Sequence, residues 1–348
     1  MTRLRHWATA LAAAGLLASG CGGGSGDSSV TTIGALSAAL ADTAEASTFR
    51  VTVSSGLKMS VPEVGIEVES DLNDQLPLFV SEISEDRQHV VMNMGALLGP
   101  LVGGDPDSEM EMWRDDERVV IDTRKLLGPL SPPDDEEFNA LLGPMRPGVA
   151  SIDLAVIGAD LADILTVTVG SPGPDLSELA LKLPAALRTI EQTSENPPVF
   201  EGTAAYSDLL EAQGIDLADT ARGAAAGVAL GNQVELEALT ELYIDFYDTL
   251  EADVVIELDD RGLLHAFWTR VDLSGIFSLM FDNEDLFPGM TEQERRESEE
   301  SLKGAVMVVA FRAVYEADID LEVPFPPETT EDRTEEWREF LINAGFPG

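Results

Sequence analysis

Apolar positions recur along this chain with two periods, near 3.6 and near 2, and the switches between them mark out its elements. Residues 31–46 carry Ile33, Leu36, Leu40 and Ala44 on one helical face, which predicts an amphipathic helix with Thr31 or Thr32 as its N-cap. At Phe49 the period drops to 2. Phe49, Val51 and Val53 alternate with Arg50, Thr52 and Ser54, and Val64, Ile66 and Val68 alternate with Glu63, Gly65, Glu67 and Glu69. Such alternation predicts antiparallel strands with one buried and one solvated face. Strand-like runs continue over residues 76–84, 88–94, 109–114, 118–123 and 149–157, separated by turn-forming spacers such as Asp115-Asp116. A meandering sheet is the economical assembly.

The second half mixes the two periods. Residues 175–192 place Leu176, Leu179, Leu183, Leu187 and Ile190 on one helical face behind Asp175 and Glu178 in capping-box spacing, with Pro184 expected to kink or restart the helix. A strand is expected over 198–206. The longest clean helical stripe lies in 234–250, with Leu236, Leu239, Tyr243, Phe246 and Leu250. Residues 251–270 read as a hairpin, Val254, Ile256 and Leu258 entering the turn Asp259-Asp260-Arg261-Gly262 and Leu264, Ala266 and Trp268 returning. Residues 302–314 are nearly all apolar. Ala317, Ile319, Leu321 and Val323 then alternate with acids until Pro324 stops the expected strand, and a short helix is expected over 334–344. The Leu-Leu-Gly-Pro words ending at Pro100, Pro129 and Pro144 have no fixed period and predict short turns rather than a solenoid. The acidic, Pro-rich 131–137 is expected as an exposed loop.

The start of the chain bears on location. Arg3 and Arg5 precede a short Ala/Leu run over 8–18, and Ala18-Ser19-Gly20 precedes Cys21, the single cysteine. The run is too short to span a bilayer and has the form of an export signal. Its end resembles the lipobox of bacterial lipoproteins, although Ala18 stands where that pattern usually has Leu; simple secretion, with cleavage at the same bond and a free Cys21, is the alternative. The expected organisation is a signal over 1–20, a Gly/Ser-rich tether over 21–30, one domain over 31–330 and a tail over 331–348.

Charge narrows the partners. The chain has 21 Lys and Arg against 64 Asp and Glu, a formal net charge of −43; loss of Arg3 and Arg5 with the signal leaves 19 cationic residues and −45. Nucleic acid is excluded as an expected partner, since phosphate binding needs a basic stripe. Anionic membrane surfaces repel such a body, so attachment requires an anchor. With Cys21 alone there is no internal disulfide and no thiolate zinc site. His89 and His265 lack companions at metal-ligand spacing, no G-x-S-x-G accompanies either, and no phosphate-cradling Gly loop with Lys occurs. No catalytic residue, metal or cofactor is expected. The methionines Met92, Met94, Met110 and Met112 fit either a lipid-tail lining or core filler.

Four stretches carry a family resemblance: residues 35–53 (ALSAALADTAEASTFRVTV), 195–206 (ENPPVFEGTAAY), 253–273 (DVVIELDDRGLLHAFWTRVDL) and 317–327 (ADIDLEVPFPP). In this order the chain resembles the LolA-like lipid carriers, in particular the LppX/LprG-type lipoproteins, while being longer and more acidic. The resemblance implies an α+β fold: a strongly curved antiparallel sheet, a half barrel, with helices packed on its concave face and an apolar cavity between. It also implies a non-enzymatic lipoprotein held by acylated Cys21 on the extracytoplasmic face of the cell membrane, binding lipid acyl chains, with an envelope transporter as a possible partner. The cavity positions would be Val51, Val53, Ile66, Val68, Ile256, Leu258, Ile319 and Leu321. Alternation alone leaves them equally open to a filled core, which fits an envelope docking module of the same fold.

The net charge has a direct consequence for stability. Self-repulsion among so many carboxylates is screened by salt, so the melting temperature of the mature protein is expected to rise between low and molar sodium chloride, and calorimetry showing a fall would contradict this.

Overall fold

The computed structural model describes residues 27–70, 77–84, 87–93, 108–115, 117–126, 143–157, 176–229, 236–276 and 291–343. Cys21, the tether, the Leu-Leu-Gly-Pro words except Leu126, Gly143 and Pro144, and the 131–137 loop lie outside them.

The strands are β1 (Phe49–Val61), β2 (Ile66–Ser70), β3 (Phe79–Ile83), β4 (Gln88–Asn93), β5 (Glu109–Arg114), β6 (Arg118–Asp122), β7 (Val149–Asp153), β8 (Leu187–Glu195), β9 (Pro198–Ala205), β10 (Glu251–Leu258), β11 (Leu264–Asp272), β12 (Val306–Ala317) and β13 (Glu331–Asp332). They form one sheet in the order β13-β7-β6-β5-β4-β3-β1-β12-β11-β10-β9-β8, with β2 beside the far half of β1. All pairings are antiparallel except the short β13–β7 ladder. The line has two free ends and is not closed into a barrel.

The helices are α1 (Asp27–Ala44), α2 (Leu154–Ile157), α3 (Leu176–Ala186), α4 (Tyr206–Ala212), α5 (Leu217–Ala229), α6 (Leu236–Thr249), α7 (Glu292–Ser301) and α8 (Thr334–Asn343). Leu36, Ala39, Leu40 and Thr43 form the buried face of α1, at the spacing an amphipathic helix requires. This face meets Leu179, Leu183 and Ala186 of α3 over strands β1 and β9–β12. Thr43 locks the packing: its Oγ1 donates to Ala39 O and accepts the Leu264 N–H, both at 2.7 Å, so a hydroxyl within the core is satisfied on both counts. A second cluster joins Val90, Met112, Val119, Ile121 and Ile152 of β4–β7 to Ile157, Trp337 and Leu341. A third is formed chiefly by α5 and α6 around Leu239, Tyr243, Phe246 and Tyr247.

Four expectations change. α1 starts at Asp27, so Thr31 and Thr32 lie inside it rather than capping it. The helix expected over 175–192 stops at Ala186; Pro184 withholds a backbone donor in its last turn. Leu187 and Ile190 then pair with Ala204 and Gly202 as part of β8. The run 149–157 is a strand only to Asp153, whose carboxylate accepts the Ala155 and Val156 N–H groups and starts a helical turn. The strand expected through Val323 ends at Ala317, because Asp318 takes a left-handed backbone with φ of 53° and its N–H bonds back to Thr48 O.

Beyond that break, residues 318–330 form a strap along the end of the sheet that carries the starts of β1, β4 and β6. Thr48 Oγ1 donates to Ile319 O and Arg87 Nη1 to Val323 O. Thirteen extended residues reach about 45 Å, enough to pass the roughly 34 Å between β12 and β13 at standard strand spacing. The strap delivers residues 331–343, expected from the pattern as a tail, to the far edge. There Arg333, 3% exposed, donates to Pro144 O and Arg146 O and pairs with Glu331. A Cβ on Gly148 would lie 2.5 Å from Arg333 Nη2.

The outer strand β8 presents Arg188, Thr189, Glu191, Gln192 and Thr193 to solvent and is bulged in its pairing with β9, features that discourage edge-to-edge association. Gly202 sits at the first bulge, where a Cβ would meet Thr189 O at 2.1 Å. Gly202→Ala is expected to force these strands apart and cost about 1–3 kcal/mol. Trp337→Ala should cost about 3–5 kcal/mol by opening the second core. Urea unfolding of both variants checks this, and an unchanged Trp337→Ala midpoint would show that α8 does not hold the fold.

Candidate functional site

Pairing register places one row of side chains on a common side of eight successive strands: Met110, Met92, Phe79, Val53, Ala313, Phe267, Ile256 and Phe200. Every member is apolar. The next row runs Met112, Val90, Ser81, Val51 and Tyr315, and its one polar interruption, Ser81, is fully buried and accepts a hydrogen bond from Gln88 Nε2 at 3.2 Å. Tyr315 is buried with no partner for its hydroxyl, and burial pushes its phenol well above the usual range.

The helices cover this inner face unevenly. Val51, Val53, Ile256 and Leu258 are at most 8% exposed and pack in the cluster that contains Leu36, Leu40, Leu179 and Leu183. At these four positions the space between sheet and helices is occupied by protein side chains. Ile66 and Val68 lie on β2, their side chains outside the described residues. Ile319 and Leu321 are half-buried in the strap, off the sheet, because the strand ends before them. The sheet thus gathers four of the eight expected positions and leaves two elsewhere.

Toward the other end of β1 and β12 the same face continues with Leu57, Met59, Met307 and Val309, all half-buried, and Phe311, 44% exposed. Alternate strand positions share a side, so these residues extend the face that begins with Val51, Val53, Ala313 and Tyr315. They were legible as the continuation of the Phe49–Val53 alternation; that the cover stops short of them was not.

The opposite face is charged. Arg50 of β1 pairs with Glu82 at 2.9 Å and Glu316 at 3.2 Å. His89, 8% exposed, has Nδ1 3.3 Å from Glu82 and Nε2 3.4 Å from Glu111, and its ring stacks on Trp113 at 5.1 Å. These are cross-strand neighbours that satisfy one another. Among the described residues no cluster of His, Cys, Asp and Glu is disposed to hold a metal ion, and no helix there is long and apolar enough to cross a membrane. No family model matches the chain, and no curated protein matches it significantly.

The hairpin turn joins the inner face to the strap. Gly262, at φ of 81°, closes the turn, while Asp259 Oδ1 accepts the Arg261 and Leu263 N–H groups and Oδ2 accepts Arg261 Nε, each at 2.9 Å. Arg261 Nη2 in turn donates to Ala317 O, where β12 gives way to the strap. Burial acts to raise the Asp259 carboxyl, but the hydrogen bonds from Leu263 and Arg261 outweigh it and hold the group below its ordinary 3.8. A depressed folded-state pKa gives stability that is present above the unfolded value and lost as pH falls through the folded one. Asp259→Asn is therefore expected to lower the melting temperature near neutral pH and to narrow its gap to the wild type below pH 3.8; a gap that stays constant across that window would reject the linkage.

Proposed function

We propose that the protein is a lipid-anchored, non-enzymatic envelope protein that holds acyl chains against the uncovered end of its inner sheet face. The observation that carries this reading is the apolar strip Leu57, Met59, Met307, Val309 and Phe311, continuous with the core yet left partly open to solvent. An acyl chain laid on the strip gains about 0.8 kcal/mol per buried methylene, so roughly six methylenes gain about 5 kcal/mol without any polar contact. Two methionines and a phenylalanine make an adaptable surface for chains of varied length. The resemblance to the LolA-like and LppX/LprG-type carriers supports the same reading, with the sheet curved as a half barrel and α1 and α3 in its concavity. In this arrangement Val51, Val53, Ile256 and Leu258 form the floor beside the acyl site, and acylated Cys21 keeps the acidic body at the extracytoplasmic face of the membrane.

The second reading is an envelope docking module, for instance beside a transporter. It is favoured by the filled packing of those same four residues and would use the strip for a protein partner.

Native mass spectrometry of protein produced with its own signal in a lipid-rich host separates the two. Bound acyl lipid is expected, and Phe311→Asp combined with Val309→Asp should abolish it while leaving the melting temperature within a few degrees, since both positions are incompletely buried. Clean apo protein that takes up no lipid would leave the docking module. Cys21→Ser is expected to shift the protein from the membrane to the soluble fraction; continued partitioning with membranes would reject the anchor.

A further inference from the structure

The strap encloses a second feature, on a part of the molecule that the acyl-chain reading does not use. Where it passes the ends of β4, β5 and β6, a small cleft is lined by Arg87, Trp113, Arg114, Asp115, Arg118 and Pro324. Its volume is about 10 Å³, room for a single oxygen-sized group. Three guanidinium groups converge here in a mature chain that has only 19 cationic residues and a net charge of −45. Chance scatter would instead surround each arginine with acids.

The one carboxylate in the lining is already engaged. Asp115 Oδ1 accepts the Glu117 and Arg118 N–H groups at 3.0 and 2.9 Å, and Oδ2 faces Arg118 Nε at 3.3 Å. That pair uses one of the five N–H donors of Arg118. Arg87 is positioned by its bond to Val323 O and by the Phe325 ring 4.2 Å beneath its guanidinium. Arg114 makes no ion pair among the described residues. Against one neutralised acid the lining carries three positive charges.

An independent observation points to a ligand. Trp113 is 92% buried, being 8% exposed, and its indole Nε1 has no hydrogen-bond partner. A buried donor left unmade costs about 1–3 kcal/mol, and the stacked His89 ring fixes the indole plane rather than satisfying its N–H. We infer that the cleft is an oxyanion site, in which one oxygen of a phosphate group accepts the Trp113 indole N–H while Arg87, Arg114 and Arg118 hold the remaining oxygens at the rim. Arginine forks suit this geometry, since their parallel donors match the oxygens of a phosphate. The donor set is the same for a soluble phosphate and for a phospholipid head group, and the two sources differ only in what lies outside the cleft.

The test follows the Trp113 indole resonance in ¹H–¹⁵N spectra of the full mature protein, assigned by its loss in Trp113→Phe. Sodium phosphate and, separately, dihexanoyl phosphatidic acid are titrated at ionic strength held constant with chloride. The indole proton is expected to move downfield and saturate, and Arg114→Gln should raise the half-saturation concentration roughly tenfold or more, the loss of one charge-assisted hydrogen bond. Saturation by both probes assigns the site to soluble phosphate; saturation by phosphatidic acid alone assigns it to a lipid head group. An indole signal unmoved by either probe overturns the inference, as does an unchanged titration in both Arg114→Gln and Arg118→Gln. Neither result depends on acyl chains binding the strip, which native mass spectrometry reads separately.

Discussion

The pairing of β1 with β12 is the constraint on which the rest of the structure depends. Twelve residue pairs, from Phe49 with Ala317 to Ser60 with Val306, join segments near opposite ends of the described chain. Without this ladder the sheet would fall into a β8–β12 half and a β3–β7 half, each with an exposed edge. The ladder also sets the register that aligns Phe79, Val53, Ala313 and Phe267 across the junction, and with it the continuity of the apolar inner face. Closing so long a loop is entropically costly, but the cost grows slowly with length, and the contacts it enables include the first core, with its fully buried Leu36, Leu40, Leu179 and Leu183.

The same ladder explains the strap. β12 ends in the middle of the sheet, while the chain still has to reach β13 and α8 at the far edge, where Trp337 and Leu341 complete the second core. Ending the strand at Asp318 and crossing along one end of the sheet accomplishes this without breaking any ladder. The crossing seals that end through Thr48 and Arg87, encloses the arginine-lined cleft, and leaves the opposite end of β1 and β12 with its apolar residues half open. The two ends of the molecule are consequently different in kind, one polar and cationic beneath the strap, the other apolar and uncovered.

Much of the architecture was legible in the chain. The 3.6-residue spacing of Leu36 and Leu40, the helical stripe from Leu239 to Phe246, and the hairpin around Asp259 and Gly262 all stand where their patterns place them. Local chemistry misled in places where two periods overlap. Leu187 and Ile190 fit a helical face continued from Leu183, yet they pair in β8, because Pro184 stops the helix and β9 offers a partner that periodicity cannot see. Ile319 and Leu321 keep a strand's alternation after the strand has ended, since one left-handed residue at Asp318 turns the chain and no neighbouring strand remains to pair with. The C-terminal residues showed helical spacing, but their place beside β7 rests on Arg333 reaching Pro144 and Arg146, contacts between segments far apart in the chain.

By itself the sequence determined the α+β character, the antiparallel strands, the amphipathic α1 and the acidic surface, because these follow from the order of apolar, polar and charged residues over short spans. Only the tertiary structure decided which apolar positions are core and which are left uncovered. Val53 and Phe311 are both large apolar residues on one face of neighbouring strands, yet one is 8% and the other 44% exposed, since α1 and α3 reach the first and not the second. The cleft beneath the strap was equally out of reach of the sequence. Arg87, Arg114 and Arg118 lie in three strand ends whose approach depends on pairing, and the unpaired indole of Trp113 is a fact of burial that residue order cannot express.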